Sequence, residues 1–184
     1  MRIPNAHYLI IDLEATCSDD KSIPESEMEI IEIGAVMQNS KTFEIESEFQ
    51  TFVKPVRNPE LTKFCLALTK IAQSDVDVAP LFPQACGMMK RWMVDFPDAL
   101  FCSWGDYDRN QFIKDCNFHG IEYPFGAEHL NLKAQFSKSS GPRKRVGIAG
   151  ALKYLGLDFV GTHHRGIDDA RNIARIVRRV CCSS

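Results

Sequence analysis

Residues 10–16 read Ile10-Ile11-Asp12-Leu13-Glu14-Ala15-Thr16, an apolar run that ends on two carboxylates one residue apart. Residues 7–13 have the character of a strand, and alternation along a strand puts Asp12 and Glu14 on one face, within reach of a common cation. Like charges at that spacing raise each other's cost of ionisation unless something cationic offsets them. A hard oxygen site for Mg2+ or Mn2+ supplies the offset, and no Cys or His within the motif points to zinc. Two carboxylates alone are a weak signal, so their partners must come from elsewhere in the chain.

Outward from this strand, residues 29–37 read as a second strand with Gly34 inside it. Residues 49–53 read as a third, stopped by Lys54-Pro55. The three suggest a meander. Residues 66–71 suggest a short helix and residues 82–96 a longer one, with Met89, Trp92, Met93 and Phe96 at helical spacing. Residues 100–104 read as a fourth strand, 108–117 as a helix with Phe112, Ile113 and Cys116 on one side, and 131–136 as a further short helix. Ser139-Ser140-Gly141-Pro142 breaks the chain before the basic run Arg143-Lys144-Arg145. Residues 147–155 resume helical character, and Gly156 and Gly161 bracket a brief extended piece. The final helix, residues 168–180, turns Ile173, Ile176, Val177 and Val180 inward. Strands first, then strand and helix in alternation, predict a mixed α/β sheet covered by helices. A chain of 184 residues suits one domain, residues 1–184, with a substantial core.

The composition, 45% apolar and 25% charged, is ordinary for a globular protein. No apolar run approaches the roughly 20 residues that cross a bilayer. The first residues lack the pattern of a signal peptide, so an intracellular setting is expected, cytoplasmic with the nucleus left open, and no membrane partner. Seven cysteines form no C-x-x-C pair or zinc-like grouping and read as free structural thiols, with Cys17 singled out because it lies close to the acids. The net charge of −2 hides an asymmetry: residues 1–132 hold 11 Lys/Arg against 21 Asp/Glu (−10), and residues 133–184 hold 11 against 3 (+8). The basic final quarter can offer a local phosphate-binding face, or simply a solvated surface.

Two further acidic motifs stand far from the first. His163-His164-Arg165-Gly166-Ile167-Asp168-Asp169 opens the last helix. Asp169 lies on the inward line, four residues before Ile173, whereas Asp168 is displaced by about 100 degrees and reads as a cap for the helix N-terminus. Trp104-Gly105-Asp106-Tyr107-Asp108-Arg109-Asn110-Gln111-Phe112 lies where a strand gives way to a helix, a topology at which α/β sheets bind ligands. On local grounds either Asp106 or Asp108 can be the functional acid, and both can be caps.

Taken in order, these pieces resemble the DEDDh exonucleases, the proofreading-exonuclease-like branch of the RNase H-like fold. Within it they resemble the Eri-type exoribonucleases related to histone mRNA 3'-exonuclease. The pieces are Asp12 to Cys17, Glu29-Ile30-Ile31-Glu32-Ile33-Gly34, Phe64-Cys65 with Leu68-Thr69-Lys70-Ile71, Asp108 with Phe112, and His164 to Asp169 continuing to Asn172-Ile173-Ala174-Arg175-Ile176. The resemblance spans nearly the whole chain. It implies an RNase H-like mixed five-stranded sheet with helices on both sides.

The resemblance also implies two Mg2+ or Mn2+ ions held by Asp12, Glu14, Asp108 and Asp169, with His164 as general base, five residues before Asp169. The family's D-x-x-x-F spacing to Phe112 selects Asp108 over Asp106, and His163 falls outside the H-x-x-x-x-D pattern. The substrate implied is single-stranded RNA, or DNA, with a free 3' end, and the products are nucleoside 5'-monophosphates. Paired cations activate water and relieve charge on the departing oxygen. A neutral histidine can accept the water's proton. Ala15, Thr16 and Cys17 are implied to receive the terminal nucleotide. Phe64 and Leu68 either flank it or belong to the core. Arg143, Lys144 and Arg145 are candidates for upstream phosphates, contacts that position a strand without reading its bases. Glu32 matches the family phrase without an assigned chemical role. The alternatives are a catalytically silent binding module of the same fold, or a phosphatase or other metallohydrolase.

Overall fold

A computed structural model describes residues 6–139, 142 and 144–181. Ser140 and Gly141 of the predicted break, Arg143 of the basic run and Cys182 lie outside the described residues. Five strands form one sheet in the order β3-β2-β1-β4-β5. β1 (His7–Ala15) runs antiparallel to β2 (Ile30–Asn39), and β2 runs antiparallel to β3 (Ile45–Phe52), which is the expected meander. β4 (Ala99–Ser103) and β5 (His129–Asn131) continue the sheet in parallel on the other side of β1.

Burial explains the composition of the strands. β1 and β2 are covered on both faces and are almost continuously apolar. On one face Leu9, Ile11 and Leu13 pack with Phe82, Met89, Phe112 and Cys116 of α3 (Phe82–Met93) and α4 (Tyr107–His119). On the other, Tyr8 and Ile10 pack against α5 (Leu132–Ser139), α6 (Ile148–Tyr154) and α7 (Gly166–Cys181), whose Ile173, Ile176 and Val177 form the inner row. Helices therefore cover both sides, as expected. A smaller cluster joins Ile31 to Cys65 of α1 (Lys63–Thr69) and Val76 of α2 (Gln73–Asp77).

Several boundaries differ from the sequence reading for identifiable reasons. β3 starts at Ile45, four residues before the predicted strand, because Glu46 and Glu48 carry no apolar signal on an exposed edge. These acids are bonded instead to His7 and Arg171, and charge on an edge strand discourages pairing with other chains. α3 ends at Met93, three residues short of the predicted end, since Pro97 disfavours helix in the residue before it. The predicted extended piece between Gly156 and Gly161 forms no strand among the described residues. Its backbone is held by a side chain, Asn172, whose Nδ2 donates to the Val160 carbonyl at 2.8 Å and whose Oδ1 accepts the Val160 amide at 3.2 Å. The fifth strand is His129–Asn131, defined by parallel pairing of Phe101 with His129 and Ser103 with Asn131. Three residues are too few for alternation to register in a sequence. No described helix is long and apolar enough to cross a membrane.

Candidate active site

The β1–β4 ladder pairs Ile10 with Cys102, and β4 stops one residue later at Ser103. β1 therefore runs past its neighbour, and Asp12 and Glu14 extend the row begun by Tyr8 and Ile10 beyond the point where apolar packing ends. Gly105, at φ 127°, then turns the chain from β4 into α4. That turn brings Asp108, in the first turn of α4, against the free flank of β1, where its Oδ1 accepts the Leu13 amide at 3.1 Å.

Asp169 arrives from the opposite end of the chain. Gly166 opens α7 directly above β1 and β2, and the approach is so close that a Cβ on Gly34 would lie 2.0 Å from the Gly166 carbonyl carbon. Only glycine permits that contact. Asp169 then lies on the inner row of α7, four residues before Ile173, with its amide donating to the Arg165 carbonyl at 2.9 Å. Asp12, Glu14 and Asp169 each offer an oxygen such that all three lie within 4.8 Å of one another. Asp108 flanks this trio from the β4 side, outside that limit.

Burial and mutual repulsion govern the electrostatics. Desolvation, then Asp108, Asp169, Glu14 and Glu32, drive the Asp12 carboxyl well above the carboxylate range. Burial first, with Asp169, Glu32 and Asp108 behind it, pushes Glu14 up to about 9. Asp108 and Asp169 are each raised to about 6, chiefly by burial, with the Leu13 amide opposing the rise at Asp108 and His163 opposing it at Asp169. Oδ1 of Asp169 is buried, and among the described residues no donor comes within hydrogen-bond reach of it. An all-oxygen donor set, short of hydrogen-bond partners and self-repelling, fits a hard divalent cation such as Mg2+ or Mn2+.

A cleft of about 370 Å³ lies over the acids, lined among others by Ala15, Cys17, Met28, Leu68, Trp104, Tyr107, Ile148, His163 and His164. His164 adopts φ 63°, in the left-handed region that few non-glycine residues occupy. Its amide donates to Asp169 Oδ2 at 2.7 Å, which ties the histidine backbone to the carboxylate. Burial, followed by the neighbouring His163, lowers the His164 pKa, so the ring is neutral near pH 7 and has a nitrogen free to accept a proton. His163 also lines the cleft, is more exposed, and holds its Nε2 3.9 Å from Asp169 Oδ1.

The adjacent acids separate clearly. Asp106 is 48% exposed, accepts a hydrogen bond from the Asn131 side-chain Nδ2 at 2.8 Å and pairs with Arg109 at 3.4 Å, all outside the cleft. Asp168 accepts the Thr162 amide and the Arg171 guanidinium, at 2.9 Å and 3.0 Å, so its carboxylate ties down the preceding loop and pairs along the helix instead of capping the α7 amides as its position suggested.

The predicted substrate residues are placed unequally. Ala15, Cys17 and Leu68 line the cleft. Thr16 is buried with its hydroxyl accepting the Glu29 amide, so it offers the cleft no side chain. Phe64 is 37% exposed on α1 and is not among the lining residues. Lys144 and Arg145 are exposed just before Gly147 and Ile148, which do line the cleft. The neighbouring Cys65 thiol, and then burial, push the Cys17 thiol pKa up. Met28 and Ile148 carry no signal in the sequence, since loops distant in the chain bring them here. Trp104 had a signal, an aromatic residue at the end of β4 ahead of Gly105.

Comparison with known proteins gives this geometry its relatives. The chain is 36% identical over 183 residues to human 3'-5' exoribonuclease 1, covering 95% of this chain and 52% of the relative, so it spans about half the length of the curated relatives it matches. It superposes with a TM-score of 0.90 and 34% identity on the nuclease domain of 3'hExo, a DEDDh family member bound to rAMP, covering 98% of this chain and 94% of that one. A 3'-exonuclease in 3'-end specific recognition of histone mRNA stem-loop superposes with a TM-score of 0.87 at 33% identity, covering 98% and 83%. The family model described as Exonuclease (RNase_T) matches residues 9–177, and the chain belongs to this exonuclease family, with the mixed five-stranded fold of a DEDDh nuclease domain.

Proposed function

We propose that this chain is a metal-dependent 3'-5' exonuclease that removes nucleoside 5'-monophosphates from the free 3' end of single-stranded RNA, and of DNA as a secondary substrate. The observation that carries the reading is the convergence of Asp12, Glu14 and Asp169, from opposite ends of the chain, to within 4.8 Å at the foot of an open cleft. RNA as substrate is supported by relatives named exoribonucleases and by one related structure bound to rAMP. Residues 1–184 are read as one exonuclease domain.

Asp12, Glu14, Asp108 and Asp169 hold two Mg2+ or Mn2+ ions, which when bound supply Lewis-acid activation of water and relief of charge at the leaving oxygen. The protein's own contributions follow from the placement of its residues. Ala15, Cys17 and Leu68 line the space that receives the terminal nucleotide. His164, neutral and half-buried, takes the proton of the attacking water. Lys144 and Arg145, with Arg143, meet phosphates upstream of the cut. Phe64 serves the nucleotide only if α1 approaches it, since its ring stands outside the cleft.

The decisive test supplies 5'-labelled RNA and DNA, with free or phosphorylated 3' ends, in Mg2+, Mn2+ or EDTA. A descending ladder that needs metal and a free 3' end is expected, with RNA cut faster. Binding without degradation would assign a silent module, and cutting of a circular single strand would overturn the exonuclease reading.

A further inference from the structure

Glu32 lies on β2 directly opposite Glu14 of β1, so both carboxylates rise from the same sheet face. Its side chain is 0% exposed, yet it is absent from the group of acids that converge on one point. Its hydrogen bonds account for the difference. Oε2 accepts Arg165 Nε at 3.1 Å and the Gly166 amide at 3.1 Å, and Oε1 accepts Arg165 Nη2 at 3.3 Å and Gln50 Nε2 at 2.9 Å. A buried carboxylate with four donors, two of them charged, is satisfied by the protein itself.

Those donors occupy a particular place in the chain. Arg165 and Gly166 are two of the four residues between His164 and Asp169, and the Gly166 amide is one of the N–H groups that open α7 without a partner inside the helix. Gly166 also rests on Gly34 and on the Asp12 carbonyl with no room for a Cβ. Packing fixes how closely α7 approaches the sheet. Packing between two glycines cannot fix the rotation or slide of the helix, because neither has a side chain to interlock. The directed bonds to Glu32 can, and Phe52, with its ring centroid 5.2 Å from the Arg165 guanidinium carbon, closes one side of the arginine's space.

We infer that Glu32 is a positioning residue: by gripping Arg165 and the Gly166 amide it sets the first turn of α7 so that His164 and Asp169 face Asp12 and Glu14. The inference rests on the exonuclease reading for its kinetic consequence, but not for its structural one. Glutamine at position 32 keeps the volume and offers one oxygen where four donors converge, and its own NH2 meets another donor. Bonds across the sheet–helix junction then break without emptying the core.

The experiment has two arms. In metal-free protein, hydrogen exchange followed by NMR should show the His164, Gly166 and Asp169 amides of Glu32→Gln opening at least about tenfold faster than in the unsubstituted protein, with Leu9 to Ile11 unchanged. Unchanged protection at all three amides would overturn the inference, whatever the enzyme does. In Mn2+, single-turnover cleavage of 5'-labelled RNA should slow by about a hundredfold at saturating RNA, with an unchanged half-saturating concentration, since Glu32 does not line the cleft. Introduced into His164→Ala, the same substitution should cost a smaller factor, because part of what it positions is already gone. An equal factor in both backgrounds would reduce Glu32 to a general stabiliser. If Glu32→Gln does not fold, Arg165→Lys carries both arms, as it breaks the two-pronged contact while leaving the carboxylate in place. Absence of 3'-end degradation by the unsubstituted protein would count against the exonuclease reading alone, and the exchange arm would still decide the role of Glu32.

Discussion

At positions 106 and 108, two aspartates separated by one tyrosine meet opposite environments. Asp108 is 5% exposed and bonded to the backbone of β1, while Asp106 is half-exposed and paired with Arg109 and Asn131. Asp108→Asn should therefore reduce turnover by orders of magnitude and raise the metal concentration needed, whereas Asp106→Asn should stay within a few-fold of the parent. His164→Ala should lose about 10²- to 10⁴-fold, the usual worth of a general base. His163→Ala should be much milder, since its ring stands at the rim. Single-turnover cleavage of one 5'-labelled RNA by all four variants, at matched folding, checks the set. Crippling of Asp106→Asn and His163→Ala instead would show both assignments to be displaced to their neighbours.

The same residues set a pH dependence with a definite sign. Asp108 and Asp169 titrate at about 6 in the folded chain, above the ordinary carboxylate range, and Glu14 at about 9. A group whose folded pKa is raised stabilises the fold below its unfolded pKa and loses that contribution as pH rises through the folded value. Metal-free protein should thus melt at progressively lower temperature from about pH 4 through pH 6, and further toward pH 9, by scanning calorimetry. Asp169→Asn should flatten the lower part of that slope. A melting temperature that rises across the whole interval would contradict the electrostatics described here.

Among the elements, α7 and β2 meet at a glycine contact that tolerates no side chain. In Gly34→Ala the new Cβ would lie 2.0 Å and 2.1 Å from backbone atoms of Gly166 and Ile167, which cannot rotate away as a flexible side chain can. The helix must lift, and Asp169 and His164 lift with it. Overpacking of this kind costs about 1–3 kcal/mol or more, and displacement of the acids should reduce cleavage by roughly a hundredfold. Urea unfolding and single-turnover kinetics on the same preparation test both consequences. A folded, fully active Gly34→Ala protein would mean that α7 can shift without moving the site.

Across the whole molecule, charge is divided along the chain, −10 over residues 1–132 and +8 over residues 133–184. The fold uses part of that excess internally: Arg165, Arg171 and Arg178 bind Glu32, Glu48 and Glu44. Lys144 and Arg145, exposed and a few residues before the cleft-lining Gly147 and Ile148, are the cations of this segment proposed to meet a phosphate backbone. Replacing both by alanine should weaken RNA binding at every sequence alike and reduce the slope of log K against log salt by about 0.7 for each phosphate left without its cation. Mn2+ has the opposite global effect, since binding only to the folded state at a hundredfold excess over Kd adds about 2.7 kcal/mol, roughly 5–10 °C in Tm for a chain of this size. Asp12→Asn should remove most of that shift, and an unchanged calorimetric titration in the variant would remove Asp12 from the metal site.

Local chemistry made much of this protein legible in the linear chain. The central strands declare themselves because burial on both faces demands apolar residues. The Asp12 and Glu14 pair stands out because alternation leaves them on one face, and Asp169 because helical periodicity puts it on the line of Ile173. Other features have no local signature. β5 exists because three residues find the free edge of β4, β3 gains its first half from pairing despite its acids, and Asn172 substitutes for a strand partner at Val160. The distinction between Asp106 and Asp108 could be anticipated only by analogy, since both fit the start of a helix. Tertiary structure gives the two acids different surroundings, by ending β4 at Ser103 and presenting the Leu13 amide to Asp108. Glu32 is the sharpest instance: its sequence position matches a strand interior, while three of its four hydrogen bonds come from donors more than 130 residues away, in Arg165 and Gly166 where α7 begins. Hydrogen-bond partners and desolvation depend on which distant segments share a volume, and that is settled only when the chain folds.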